Sequence, residues 1–192
     1  MTKKLLVFFS WIVLINGFVA QTQHPFLKWE DVRHASPDTV YYISFSKSKV
    51  SEIPKDLAQF HKVKGLDLSR NRLTTLPEFF GSFDSLVYLD LSRNNFDLFP
   101  IELCRLTNLQ KLIFNRNNFS QLPECIQYLE RLNFLDLWAT PVISFPPGMK
   151  NLKSLKTLDL QGNRYSPSFQ KQLQNELPTV NVVLDPPCNC MN

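Results

Sequence analysis

Glycine, histidine and cysteine are scarce in this chain of 192 residues, at five, three and four copies. So few glycines leave little material for glycine-rich phosphate loops, which disfavours nucleotide binding. His24, His34 and His61 stand toward the N-terminal end, and none belongs to a nucleophile, metal or phosphate-loop motif. No catalytic residue, metal ligand or cofactor is therefore assigned, and the chain is not expected to be an enzyme. A strong charge of one sign is also missing. The net charge is +4 with 20% charged residues, too weak a field to argue for nucleic acid. Beyond the first twenty residues, no apolar run is long enough to cross a membrane.

Those twenty residues differ from the rest. Lys3 and Lys4 precede an apolar run over residues 5–15, which closes at Phe18, Val19 and Ala20. The pattern is that of a secretory signal peptide. Cleavage after Ala20 leaves a small residue at the last position, with Phe18 where a second small one is usual; an uncleaved signal anchor is the competing reading. The leader holds two lysines and no acid, so its removal lowers the charge from +4 to +2. The expected location is secreted or cell envelope, periplasmic or extracellular, where cysteines are permitted to pair.

What is abundant is periodic. Apolar residues recur every 23 residues at Val40, Val63, Leu86, Leu109, Leu132 and Leu155, without insertions. Each is followed three and five residues later by another apolar pair, from Ile43/Phe45 and Leu66/Leu68 to Leu158/Leu160. This alternation describes a short strand with one buried face. Eight residues after each start stands Ser48, Asn71, Asn94, Asn117, Thr140 or Asn163, side chains that satisfy backbone groups where the chain turns off the strand. An apolar-proline pair follows in the first five units, from Ile53 and Pro54 to Phe145 and Pro146. Proline sets the corner into a short helical return, whose buried residues are Leu57/Phe60, Phe80/Phe83, Leu103/Leu106, Ile126/Leu129 and Met149/Leu152.

These units resemble leucine-rich repeats of the 23-residue L-x-x-L-x-L-x-x-N-x-L-x-x-L-P type over residues 40–165, and the chain is similar to exported bacterial members of that group. The resemblance implies an α/β fold: a right-handed solenoid with a curved parallel sheet on the concave side, short helical returns on the convex side, and N- and C-terminal caps. Residues 21–39 are expected to form a helical cap, because Phe26, Trp29, Val32 and Ala35 recur at a spacing of three. Residues 166–184 supply a helix opened by Pro167 and a last strand with alternating Val180, Val182 and Leu184. Residues 185–192 form a flexible tail containing Cys188 and Cys190. These two could pair with each other, pair between chains or stay free; without a nearby histidine they do not make a zinc site.

Strand residues between the buried ones project from the concave side. With each unit's first apolar residue counted as one, column five reads Ser44, Asp67, Asp90, Ile113, Asp136, Asp159. Column eight reads Lys47, Arg70, Arg93, Arg116, Ala139, Gly162. Adjacent acidic and basic columns are expected to neutralise each other, which suits solubility better than chemistry. Departures from the common wording carry more information. Phe134 and Trp138 place large aromatics in the fifth unit, and Tyr42, Tyr88, Lys111 and Ile113 continue a mixed aromatic and basic surface toward the first. Aromatics beside arginine are usual interface anchors. The candidate partner-binding residues are Tyr42, Tyr88, Arg93, Lys111, Ile113, Arg116, Phe134, Asp136 and Trp138, although Trp138 could instead fold over the strand edge as local packing. The expected partner is a protein; a glycan-binding or structural envelope role is the alternative. A monomer is expected.

Cys104 and Cys125 lie on the returns of units three and four, four and two residues after their prolines. With Leu103 and Ile126 facing the core of a right-handed turn, the two cysteines point toward each other. An inter-repeat disulfide is predicted, against the alternative of two separate thiols.

Overall fold

Each 23-residue unit buries its three leucine-type positions behind one strand and spends its proline on one corner, so consecutive strands align side by side in one sheet. In the computed structural model, which describes residues 25–187, eight strands lie parallel in strict chain order. They are β1 (Leu27–Lys28), β2 (Tyr42–Ser44), β3 (Gly65–Asp67), β4 (Tyr88–Asp90), β5 (Lys111–Ile113), β6 (Phe134–Asp136), β7 (Thr157–Asp159) and β8 (Asn181–Val183). The register repeats without slippage: Ile43 pairs with Leu66, Leu66 with Leu89, Leu89 with Leu112, and Leu112 with Leu135. The leader, His24, Cys188 and Cys190 lie outside the described residues.

The returns are single 3₁₀ turns at Lys55–Gln59, Glu78–Ser82, Ile101–Arg105, Glu124–Tyr128 and Pro147–Asn151. Pro54, Pro77, Pro100, Pro123 and Pro146 stand immediately before them, where the missing N–H costs nothing. Between sheet and returns runs a single apolar core. Its middle is a phenylalanine stack in which Phe114 meets Phe96 at 5.2 Å, Phe99 at 5.7 Å and Phe119 at 4.7 Å between ring centroids.

The asparagine column closes each turn off the sheet. Asn94 donates from Nδ2 to the carbonyls of Leu68 and Leu91, both at 3.0 Å, and its Oδ1 accepts the Leu73 N–H. Asn71 and Asn117 repeat the pattern one unit before and after. Each amide thus satisfies backbone groups of two neighbouring units at a buried site, where an unpaired group would be costly.

The two ends are closed differently. After α2 (Pro167–Glu176), which Ser166 caps by accepting the Phe169 N–H, β8 pairs with β7, while Leu173 and Leu177 enter the core. The N-terminal end corrects the expectation of a helical cap. Residues 27–28 are a strand paired with β2, Leu27 against Ile43, and α1 (Trp29–Val32) is only one turn long. The exposed edge of β2 takes a backbone partner before the chain turns inward. Trp29 then stacks on Phe45 at 5.0 Å and meets Phe60 edge-on at 5.6 Å, while Phe26 is left on the opposite face of the sheet.

Candidate binding face

The sheet face turned away from the returns, the side anticipated as concave, is built from columns three, five, seven and eight. Column five has a local task. The carboxylates of Asp67, Asp90, Asp136 and Asp159 accept the backbone N–H two residues ahead, at Ser69, Ser92, Trp138 and Gln161, over 2.8–3.0 Å. These bonds tighten the end of each strand in the manner of an Asx turn. The aspartates are therefore engaged with backbone.

The expected neutralisation between columns five and eight is absent: among the described residues the ion pairs are Arg33–Glu30 and Lys62–Asp38, both elsewhere. Column eight has another common property. Lys47, Arg70, Arg93, Arg116 and Ala139 have φ of +61°, +56°, +54°, +53° and +50°, and Gly162 has +79°. The chain leaves each of the six repeat strands, β2 to β7, through a left-handed residue, a conformation that favours glycine. Sequence reasoning missed this requirement; Gly162 was its one visible sign.

Column three gathers the aromatics. Phe26 meets Tyr42 at 5.6 Å and Tyr88 at 5.5 Å across Gly65. A Cβ on Gly65 would lie 2.5 Å from Tyr42 Cδ1 and 3.1 Å from Phe26 Cζ, so the absence of a side chain seats these rings. Tyr42 and Tyr88 are thereby tied to the N-terminal cap through Phe26, a participant that sequence reasoning placed on a helix. Burial, reinforced by Asp90 and Asp67, pushes the Tyr88 phenol well above its ordinary range and keeps it a neutral donor.

Further along the same column, the Lys111 ammonium lies between two rings, 5.7 Å from Tyr88 and 4.8 Å from Phe134. In the next layer the Arg116 guanidinium covers the Trp138 ring at 4.2 Å. Trp138 is held from its backbone as well, since its N–H reaches Asp136 Oδ1 at 2.9 Å and its carbonyl accepts the Arg116 N–H at 2.9 Å. Asp136 also accepts from Asn115 Nδ2 at 2.6 Å. Local packing and exposure coexist here, because Trp138 and Phe134 are half-buried and Arg116 is exposed. Ile113 adjoins Asp90 and Asp136 in register, and Arg93 stands one unit before Arg116.

This face is open, and larger concavities lie elsewhere. A groove of about 710 Å³ follows the corners of units one and two past Ile53, Pro54, Leu76, Pro77 and Phe79. Among the described residues no group of three histidines, cysteines or acids is placed to hold a metal, and no helix is long and apolar enough to cross a membrane. On the returns, Cys104 and Cys125 stand within disulfide-bonding distance, with Cα atoms 5.6 Å apart.

Comparison with known proteins agrees with this architecture. Family models described as leucine rich repeat match residues 38–96 and 108–129. No curated protein matches. Among solved structures, the chain is similar to an internalin, inlF, from Listeria monocytogenes, with a TM-score of 0.63 and 22% identity over 76% of this chain. It spans 41% of that chain's length, and at this identity the likeness is one of fold. The in-register parallel sheet, the asparagine ladder and the proline-led returns, together with the two matched segments, make the chain a leucine-rich-repeat protein.

Proposed function

We propose that the chain is an exported binding module that holds a protein partner on the open face of its sheet, centred on Tyr88, Lys111, Phe134, Arg116 and Trp138. The interleaving of rings and cations on that face carries the reading: Lys111 sits between Tyr88 and Phe134, and Arg116 on Trp138. Preassembled aromatic and arginine anchors lose little conformational freedom on binding, the property that makes such residues interface hot spots. Solenoids of this kind generally use their extended open face for recognition. Export is supported by the leader over residues 1–20 and by the cysteine pair on neighbouring returns. The module acts as a monomer. It performs no turnover.

The decisive experiment compares affinity for a captured and purified partner between the mature chain and a Phe134→Ala/Trp138→Ala variant. The loss of two anchors is expected to weaken binding by about 100-fold or more while the circular dichroism spectrum is unchanged. Equal affinity removes this face from consideration, and retention of polysaccharide in place of protein favours the glycan reading. Export has a separate check. Non-reducing peptide mapping of secreted protein should recover the Cys104 and Cys125 peptides joined, and two free thiols would contradict the oxidised form.

A further inference from the structure

Lys47, Arg70, Arg93 and Arg116 form a row along one border of the open face, one cation per unit. Their backbones are locked at the sheet spacing by hydrogen bonds from Lys47 to Ser69, Arg70 to Ser92, Arg93 to Asn115 and Arg116 to Trp138, at 2.8–3.1 Å. Neighbouring cations therefore start about 4.8 Å apart, and the row extends for roughly 14 Å. All four are exposed. Among the described residues none has an acidic partner, because the nearby aspartates are turned to backbone N–H groups. The guanidiniums feel one another: Arg116 above all, then slight desolvation and Arg70, lowers the pKa of Arg93. A long side chain is also an expensive choice here. The backbone is left-handed at each of these positions, and Gly162 shows the residue that fits without strain. Four successive units nevertheless hold a cation.

We infer that this row is a docking rail for an acidic segment of the protein partner, running along the solenoid axis beside the aromatic anchors. The inference rests on the protein-binding reading above and names the chemistry of the partner. Two observations favour a polypeptide over a uniformly charged polyanion. Asp67 and Asp90 stand three residues before Arg70 and Arg93 in the same units, about 10 Å away, and would repel negative charge spread across the face, while Asp136 and Asp159 continue that acidic column past the end of the rail. Beyond them the aromatic column calls for apolar side chains. A peptide can place carboxylates on the rail and apolar groups on the rings, whereas a sulfated glycan carries its charge along its whole length and meets the acidic column as well. The rail joins the anchor site directly, since its last member, Arg116, is the residue stacked on Trp138.

The test is fluorescence anisotropy with the full mature chain and a labelled peptide of glutamates interspersed with phenylalanines, read against the same peptide with glutamine for glutamate and against heparin. Arg70→Gln/Arg93→Gln is expected to weaken the glutamate peptide by about fivefold to tenfold, with Arg70→Lys/Arg93→Lys restoring it. A charge-matched Lys153→Gln/Lys156→Gln variant should bind like the wild type. Rising salt should weaken the interaction. Equal binding of the glutamine peptide, or indifference to Arg70→Gln/Arg93→Gln, overturns the rail. So does heparin binding more tightly than the peptide through the same two arginines, which would make the row a glycan site. Phe134→Ala/Trp138→Ala separates the two proposals: if it leaves peptide affinity unchanged while the arginine variant weakens it, the rail stands and the aromatic anchor falls. The reverse result retains the anchor and removes the rail.

Discussion

Units two and three, which begin at Val63 and Leu86, share their strand register with units four and five, which begin at Leu109 and Leu132, yet the open faces differ. In the earlier pair every turn is closed by the same chemistry: Asp67 and Asp90 hold the Ser69 and Ser92 N–H groups, and Asn71 and Asn94 bridge units. In the later pair Ile113 replaces one aspartate, Trp138 replaces a serine and Thr140 replaces an asparagine. The strands do not shift. Each lost turn bond is worth about 1 kcal/mol, whereas the phenylalanine core beneath contributes several times more per residue. The core and the backbone ladder hold the frame, so the face is free to vary, and it varies toward large apolar side chains such as Ile113, Phe134 and Trp138.

The sharpest way to break this comparison is to exchange the two kinds of phenylalanine. Phe114 is fully buried among Phe96, Phe99 and Phe119. Phe114→Ala should cost about 3–5 kcal/mol in urea denaturation. Phe134→Ala, on the open face of the neighbouring strand, should stay within about 1 kcal/mol of wild type. Comparable losses would mean that the face is part of the core and that its aromatics need no partner to explain them.

A smaller difference is expected along the buried polar column. Asn94 satisfies two carbonyls and one N–H, whereas Thr140 donates to Phe114 O at 3.2 Å and accepts from Asn117 N at 3.3 Å. Asn94→Ala strands more backbone groups away from water. It should lower stability by about 2–3 kcal/mol, against about 1 kcal/mol for Thr140→Ala, both read from denaturation midpoints. Equal costs would show that the fifth unit depends on its turn as much as the regular units do.

The core was readable in the sequence because its period is its packing: Leu66, Leu89, Leu112 and Leu135 recur every 23 residues and pair in register. Cys104 and Cys125, 21 residues apart, fall two short of that period on adjacent returns, and their facing geometry follows from turn handedness. Two features were not readable. The spacing of Phe26, Trp29 and Val32 suits a helix, yet the free edge of β2 recruits residues 27–28 as a strand, an effect of tertiary pairing without a local signature. The second is what the aspartates do. A column of acids beside a column of bases suggests mutual pairing, but a carboxylate two residues before an N–H at a tight turn finds the nearer partner first. On the open face, the aromatics were visible as departures from the repeat wording; their arrangement around Lys111 and the gap at Gly65 needed the third dimension.

The smallest effect lies on the boundary between the regular and irregular units, where Asp90 pairs in register with Ile113. Burial raises the pKa of the Asp90 carboxyl, partly offset by its bonds to Ser92, with Asp67 and Asp136 adding to the rise. A carboxyl whose pKa is higher folded than unfolded binds its proton more tightly in the folded state. Its contribution is therefore favourable at low pH and is lost as pH rises through the folded pKa, leaving a cost at neutral pH. Ile113→Ser admits water beside Asp90 and should lower that pKa, visible as an earlier midpoint in the carboxyl carbon titration followed by NMR. Between neutral pH and about pH 4, the variant's stability should then change with a shallower Asp90 contribution than the wild type's. If the titration midpoint of Asp90 does not move, the apolar neighbour supplied by the irregular unit is not what buries it, and the two halves of the face are electrostatically independent.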